Sequence, residues 1–261
     1  MHEFQRGVSP PGRCSYLPQE RSRTEYRVLG DVSGERYAEM LSRGWRRQGQ
    51  VFFRPACPAC VRCRSLRVPV ATFRPTKSQR RCRNRNEREG VELEVVRPEL
   101  TATHLALYDA YHEAMHRDRG WDREPADPEE YWRSFVAGDF AFAREFRYWR
   151  KGTLVGVGYV DVVPRALNSI YFFHDPEWRP LGPGTYSAVK ELEYAAAVGC
   201  GHVYFGYWIP ENASMSYKNR FGPHELMIGF PGEGRTPRWR EVGDRDGEHD
   251  VAGLSSVGAT P

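Results

Sequence analysis

The spacing of apolar residues changes several times after residue 90, and each change predicts a different element. Val91-Glu-Leu93-Glu-Val95 alternates apolar and polar residues, as a strand with one buried face does. Leu105, Tyr108, Tyr111, His112 and Met115 have helical spacing. The predicted order is strand 91–95, helix 105–115, a helix beginning at 127–130, strands 140–149, 154–163 and 169–173, helix 184–198, strand 202–208 and a short helix 212–219. This order requires an α+β domain.

The same order is that of the GNAT-type acyltransferase fold, an α+β fold with a mixed sheet. We predict a GNAT-like domain over residues 91–235, preceded by a small Cys- and Arg-rich N-terminal domain over residues 1–90. The N-terminal domain is expected to contain a helix at 34–47, a strand at 51–53, an edge strand at 66–70 and a polar, Arg-rich helix at 78–89 with a face covered by solvent or by a ligand. Residues 236–261 have little apolar content and are predicted to form a disordered tail.

The net charge of +4 hides an asymmetry between the two halves of the chain. Residues 1–100 contain 21 Lys and Arg against 11 Asp and Glu, whereas the remainder contains 17 against 23. Residues 43–88 hold 14 basic residues and one acid, Glu87. Arg is far more frequent than Lys in this chain, which a codon bias explains. Such a bias does not explain why Asp and Glu are nearly absent from residues 43–88. A patch this basic predicts a nucleic acid or another polyphosphate as its ligand.

The sequence predicts a soluble protein. It has 261 residues, 40% hydrophobic and 28% charged, which is too apolar for general disorder. No apolar run reaches 18 residues, and the first seven residues lack the apolar core of a secretory signal. We therefore expect a cytoplasmic protein with no membrane partner. The oligomeric state is left open.

Four of the six cysteines are grouped as a candidate metal site. Cys57, Cys60 and Cys63 form a C-x-x-C-x-x-C run, and Cys14 lies upstream in a Pro-bounded loop. Four thiolates are able to hold zinc or an iron–sulfur cluster, and a disulfide framework is not expected in the cytosol. The alternative is a set of reduced, structural cysteines.

A glycine-rich loop precedes the predicted helix 184–198. Arg179, Gly182 and Gly184 satisfy R-x-x-G-x-G, a pattern that binds the pyrophosphate of acetyl-CoA, and a helix start favours anions. A plain loop-to-helix turn is the alternative. Other catalytic signals are sparse, since the sequence contains no nucleophile elbow and no H-E-x-x-H. Hydrolysis through a covalent enzyme is therefore disfavoured.

Several ordered motifs resemble one family. In the N-terminal half they are Cys14-Ser-Tyr-Leu-Pro18, Gly44-Trp-Arg-Arg47-Gln-Gly49, 53–63 and Phe73-Arg-Pro-Thr-Lys-Ser78-Gln-Arg-Arg81; in the C-terminal half they are 111–116, 161–164, Tyr171-Phe-Phe-His-Asp175-Pro-Glu177, 204–209 and Met215-Ser-Tyr217-Lys218-Asn-Arg220-Phe221. They resemble the arginyl-tRNA–protein transferases, and the compact length is similar to the bacterial aspartate/glutamate leucyltransferases. The resemblance spans residues 13–227. The loop at 180–185 and the cysteine spacing depart from the usual family pattern.

The resemblance implies transfer of Leu or Arg from charged tRNA to proteins that begin with Asp or Glu, in the N-end rule degradation pathway. No cofactor is needed for this chemistry. We predict Asp161, Asp175 and Tyr171 as catalytic residues and Lys218, Arg220, Tyr207 and Tyr217 as substrate-binding residues, with aromatic rings such as Trp208 stacking on the terminal adenine. The predicted tRNA-binding residues are Arg74, Lys77, Arg80, Arg81, Arg179, Gly182 and Gly184.

Two other functions remain open at this point. An acetyl-CoA-dependent N-acetyltransferase with a zinc-stabilised N-terminal module explains the loop from Arg179 to Gly184 but leaves the basic segment 74–88 without a ligand. A non-catalytic zinc- and RNA-binding protein explains the basic half and the cysteines but gives no role to the motifs after residue 150.

Overall fold

The computed structural model describes residues 1–232 and 234–242, in which strands dominate. The strands are β1 (His2–Val8), β2 (Gly12–Arg13), β3 (Arg21–Ser22), β4 (Thr24–Gly30), β5 (Arg46–Gln48), β6 (Val51–Pro55), β7 (Arg64–Pro69), β8 (Val91–Val96), β9 (Ala143–Arg150), β10 (Thr153–Val163), β11 (Ala166–His174), β12 (His202–Trp208), β13 (His224–Met227) and β14 (Trp239–Val242). The helices are α1 (Gly34–Ser42), α2 (Lys77–Arg88), α3 (Ala102–Arg119), α4 (Pro128–Tyr131) and α5 (Pro183–Ala197). A π turn spans Trp132–Val136, and 3-10 turns span Pro176–Leu181 and Ser216–Arg220.

The larger sheet has eight strands in the order β14-β13-β7-β12-β11-β10-β9-β8. β11 and β12 run parallel, whereas the other pairs are antiparallel, so the sheet is mixed. From residue 91 onward the elements follow the predicted order. The predicted α+β class with a GNAT-like mixed sheet is therefore confirmed.

A smaller sheet of four strands, in the order β1-β4-β6-β5, packs beside the first. Tyr37 of α1 and Phe52 of β6 are fully buried against Phe140 and Phe142, which lie at the start of the larger sheet. This aromatic contact makes the two sheets share a hydrophobic core. The strand β5 consequently lies close to β10 and β11.

Strand β7 is an interior strand, so the prediction of an edge strand at 66–70 is wrong. It pairs with β12 on one side and with β13 on the other. Pro69 stands at its last position, where the missing N–H removes no interior ladder bond. Because β7 comes from the predicted N-terminal domain, the two predicted domains share one sheet.

Helix α2 has one buried face, and the rest of the helix is exposed, in agreement with the predicted solvated or ligand-covered face. Thr76 and Gln79 form a capping box at its start, and one face packs against α5. Buried Asn86 accepts a hydrogen bond from Trp178 Nε1 at 2.7 Å. The buried side chains of this face are polar, which is why hydrophobic periodicity did not reveal it.

The predicted tail from residue 236 is wrong in its first part. Trp239–Val242 forms β14, which pairs with β13, and Val242 belongs to the main hydrophobic core. Residues 243–261 lie outside the described part of the chain. No helix among the described residues is long and apolar enough to cross a membrane.

Candidate active site

Two neighbouring strands of the larger sheet stop pairing partway along their length. β11 and β12 pair over Ala166–Asn168 and His202–Tyr204. Just beyond, the ladder registers shift, which leaves Ile170 of β11 and Phe205 of β12 as extra residues. Bulges of this kind redirect side chains and often adjoin functional sites. We call the space between the separated strands the strand cleft.

Two cations bind the backbone carbonyls at this opening. Arg46 Nη2 donates to the carbonyl of Ser169 at 2.8 Å and to that of Tyr204 at 3.4 Å. Lys218 Nζ donates to the carbonyl of Tyr207 at 2.8 Å. A Cβ at Gly206, whose φ is +85°, would lie 3.2 Å from Arg46 Nη2 and 3.4 Å from Lys218 Nζ. Glycine at this position therefore lets both cations approach the strand.

An acid from helix α5 reaches the same opening. The Ser169 hydroxyl donates to Glu191 Oε1 at 3.2 Å. Glu191 and Arg46 are 3% and 6% exposed, and within the described chain neither Glu191 Oε2 nor Arg46 Nη1 has a hydrogen-bond partner. Ser169 therefore stands between a buried guanidinium and a buried carboxyl group, and each of them has an unused polar atom.

Burial shifts the proton equilibria of two groups in the cleft. Desolvation raises the pKa of Glu191 to about 8, although the hydrogen bond from Ser169 and the charge of Arg46 act to lower it. Desolvation, assisted by the charge of Arg46, lowers the pKa of Lys218 to about 7. Both groups consequently change charge near neutral pH, close to where an α-amine titrates.

Replacing Glu191 with Gln is expected to change how stability depends on pH. The folded wild type holds the Glu191 proton up to about pH 8, while the unfolded chain releases it near pH 4.5. The wild-type free energy of unfolding should therefore fall as pH rises between these values, by at most about 5 kcal/mol. Glu191→Gln removes this fall. Urea unfolding of both proteins at pH 5, 7 and 9 checks it, and parallel pH dependences would contradict it.

Aromatic side chains form the outer wall of the cleft. The Tyr171 hydroxyl lies 2.9 Å from His112 Nε2, and the two rings stack at 6.2 Å. Burial is the main cause that raises the pKa of Tyr171 and of Tyr217. The phenol of Tyr111 raises both pKa values further, so the three phenols are neighbours. Tyr217 is 41% exposed. The predicted catalytic Tyr171 follows the bulge in β11, and the predicted substrate-binding Tyr217 and Lys218 share the turn Ser216–Arg220, so all three lie near the end of the β11–β12 pairing.

Asp161 is a buried structural carboxylate, which corrects its predicted catalytic role. It is fully buried and pairs with Arg47, whose Nε lies 3.0 and 3.1 Å from its two oxygens. Asn168 Nδ2 donates to it at 3.1 Å. These bonds join β10 to β5 and occupy the carboxylate, so it does not face a substrate amine.

Asp175 also has a structural role. Its Oδ1 accepts the N–H of Glu177 at 2.8 Å and so caps the 3-10 turn Pro176–Leu181. Arg179, in the same turn, forms an ion pair with Asp118. The two predicted residues therefore fix the connection to α5.

Helix α2 covers the glycine-rich loop before α5. Arg85 Nη2 donates to the carbonyl of Pro180 at 2.7 Å, and Asn86 Nδ2 donates to that of Leu181 at 2.8 Å. A Cβ at Gly182, whose φ is +71°, would lie 3.2 Å from Cys82 Sγ. Packing explains Gly182, and Pro183 supplies no N–H to an anion. The glycine pattern of this loop therefore no longer favours acetyl-CoA binding, although a Cβ at Gly184 would face open space.

Tyr207 and Trp208 hold backbone segments together. The Tyr207 hydroxyl donates to the carbonyls of Gly44 and Phe53 at 3.0 and 3.3 Å. Trp208 Nε1 donates to the carbonyl of Ser216 at 3.1 Å. Both rings are buried, which corrects their predicted roles in substrate binding and adenine stacking.

The basic face of α2 lies next to the turn that carries Lys218. Its predicted tRNA-binding residues Lys77, Arg80 and Arg81 are exposed, as is Arg74 just before the helix. Gln79 Nε2 donates to the carbonyl of Arg220 at 2.9 Å, which ties α2 to the turn Ser216–Arg220. The Arg220 side chain itself is exposed. A ligand on α2 is thereby brought beside the strand cleft.

The four predicted metal ligands gather in one region. Burial raises the pKa of Cys63 to about 12, and Cys14, Cys57 and Cys60 raise it further, which makes the thiols neighbours. Cys14 and Cys57 accept backbone N–H bonds at 3.4 Å from Leu17 and Arg23. Across residues 1–232 and 234–242, however, no three His, Cys, Asp or Glu side chains are arranged to hold a metal ion.

Arg46 and Glu191 were missed by the sequence prediction. Arg46 belongs to the long basic segment and differs in no local feature from its neighbours. Glu191 did leave a signal, because it lies within the buried stripe that contains Ala188, Leu192 and Ala195 of α5. An acid on the apolar side of a helix indicates a buried polar site.

Comparison with known proteins places the chain in a family. Residues 12–81 match the model for the N terminus of the arginine-tRNA-protein transferases, and residues 103–228 match the model for their C terminus. The chain belongs to this family. The transferase is 33% identical over 226 residues to an aspartate/glutamate leucyltransferase of Helicobacter hepaticus, which covers 87% of this chain and 93% of the relative. A relative of the same description from Pseudoalteromonas atlantica is 34% identical over 242 residues, covering 92% and 98%.

The transferase is also similar to solved structures at low sequence identity. FemX matches with a TM-score of 0.48 and 9% identity over 78% of this chain and 69% of its own. L-PGS from Bacillus licheniformis matches with a TM-score of 0.43 and 15% identity over 70% and 53%.

Proposed function

We propose that this transferase moves leucine or arginine from aminoacyl-tRNA to the N-terminal Asp or Glu of a protein and so marks that protein for degradation in the N-end rule pathway. The observation that carries the proposal is the match of both halves, in order, to a single transferase family. The strand cleft beside a basic helix supplies the physical support. The relatives of this chain that are named aspartate/glutamate leucyltransferase favour leucine as the transferred amino acid.

The reaction makes modest demands on the protein. The aminoacyl ester is already activated, and an α-amine with a pKa near 8 is partly neutral at physiological pH. The amine attacks the ester carbonyl, an amide bond forms, and the ribose oxygen leaves with the proton that the amine loses. The protein mainly positions the two substrates and stabilises the oxyanion.

Helix α2 is the proposed surface for tRNA. Lys77, Arg80 and Arg81 are exposed, and Arg74 extends the same surface. Phosphate neutralisation makes binding strongly dependent on salt. Gln79 joins α2 to the turn at 216–220. An acceptor stem that lies on α2 therefore has its aminoacylated end near the strand cleft.

A transfer assay tests the function. Purified protein should move labelled Leu from Leu-tRNA to a peptide that starts with Asp, and an otherwise identical peptide that starts with Ala should remain unlabelled. Arg-tRNA assayed in parallel decides the donor. Absence of transfer from both charged tRNAs, with a protein whose thermal melting shows that it is folded, would refute the proposal.

The cytoplasm is the proposed location, because charged tRNA is available where translation occurs. All six cysteines are free thiols, as suits a reducing compartment.

Metal content tests the cysteine prediction. If Cys14, Cys57, Cys60 and Cys63 rearrange to bind zinc or an iron–sulfur cluster, anaerobically purified protein should contain stoichiometric zinc or iron. Replacing Cys63 with Ser should then release it, whereas replacing Cys200, which lies elsewhere in the main core, should not. A metal content near zero in the wild type would leave these cysteines as packing residues.

A further inference from the structure

Arg46 and Glu191 place a buried guanidinium and a buried carboxyl group beside the strand cleft. Arg46 comes from β5 of the smaller sheet and Glu191 from α5. Ser169 touches both, since its carbonyl accepts from Arg46 and its hydroxyl donates to Glu191. Two separate parts of the chain thus bring a cation and a carboxyl group to the same residue of β11.

Each group has polar capacity that the described protein does not use. Arg46 Nη1 and Glu191 Oε2 are buried without a hydrogen-bond partner. A buried donor or acceptor left unpaired is costly, and the cost is larger for a charged group. The fold leaves both atoms without a hydrogen bond, and both lie beside the point where β11 and β12 separate. A ligand with one anionic and one amine group is able to satisfy both.

We propose that Arg46 and Glu191 recognise the first residue of the acceptor protein. Arg46 Nη1 binds the side-chain carboxylate of the N-terminal Asp or Glu, and Glu191 Oε2 accepts a hydrogen bond from its α-amine. An N-terminal acidic residue carries these two groups a few bonds apart. This inference rests on the proposed function and assigns the residues that select its acceptor.

The two cations predicted from sequence suit this role less well. Lys218 Nζ is already engaged by the carbonyl of Tyr207 and by Met215 Sδ at 3.0 Å. The Arg220 side chain is exposed, where water weakens its attraction for a carboxylate. Arg46 is a buried guanidinium and retains an unused donor.

The test compares acceptor peptides that start with Asp and with Asn. In Arg46→Gln, kcat/KM for the Asp peptide should fall about 30-fold, while that for the Asn peptide stays within about threefold. In Glu191→Gln, the KM for both peptides should rise about tenfold. The affinity for charged tRNA should be unchanged in both variants. Arg36→Gln, on the outer face of α1, is the matched control and should behave as wild type.

Arg46→Lys keeps the charge and provides the test if Arg46→Gln does not fold. Its shorter reach should lower kcat/KM for the Asp peptide about tenfold and again spare the Asn peptide. Equal losses for both peptides in the folded Arg46 variants would overturn the assignment of Arg46. In Glu191→Gln, a KM that rises for charged tRNA and not for the peptides would overturn the assignment of Glu191. A wild type without any transfer activity would instead refute the proposed function.

Discussion

Replacing Lys77, Arg80 and Arg81 together with Gln is expected to weaken tRNA binding about 100-fold near physiological salt. All three side chains are exposed on α2, so each is free to neutralise a phosphate. The slope of log K against log salt should become shallower by about three, because each lost phosphate contact removes about one. Filter binding or fluorescence anisotropy over a salt series measures both quantities.

A matched control separates the surface of α2 from overall charge. Gln at positions 6, 36 and 133 also removes three exposed Arg side chains, but these lie away from α2 and each has an acidic partner. This triple variant should keep the wild-type slope within about one. Equal losses in the two variants would show that tRNA responds to net charge and not to α2.

Replacing Asp161 with Asn is expected to lower the free energy of unfolding by about 3–5 kcal/mol, because it leaves the buried Arg47 charge without its counter-ion. Arg47 also lies 5.1 Å from the Phe140 ring and 5.5 Å from the Phe142 ring, within the core that the two sheets share. Urea unfolding measures the loss. Folded Asp161→Asn should retain transfer activity within about threefold, since the carboxylate does not contact the reacting groups.

The second acidic candidate provides the control for this prediction. Asp175→Asn keeps an oxygen that is able to cap the turn at Pro176–Leu181, so its stability should change by less than about 1 kcal/mol. A loss of activity of several hundred-fold in folded Asp161→Asn, with little change in stability, would restore Asp161 as a catalytic residue.

Local patterns predicted most of the elements of the C-terminal half. Val91 to Val96 alternates and forms a strand, and Asp127 caps a helix with Pro128 at its first position. These features depend on one segment and its neighbours in sequence, which is why they are legible without tertiary structure. The same reasoning did not reveal the buried face of α2, which is polar, and it failed for β7, whose pairing partners lie more than 130 residues away.

The candidate site was predictable only in part. Lys218, Tyr217 and Tyr171 were identified from their motifs and lie near the end of the β11–β12 pairing. Asp161 was a reasonable catalytic candidate, because an acid on an apolar strand has either a buried partner or a function. Its partner Arg47 is 114 residues away, so no residue near Asp161 in the sequence indicates which alternative applies.

The sequence by itself determined the element order, the basic N-terminal half and the family, because periodicity, charge density and ordered motifs are properties of contiguous segments. Tertiary structure alone decided which ionisable groups meet. Arg46 and Glu191 are 145 positions apart in the chain, and they come together only because α1 and β6 pack on the larger sheet and β11 separates from β12. A buried charge is defined by what surrounds it, and those surroundings come from several distant segments.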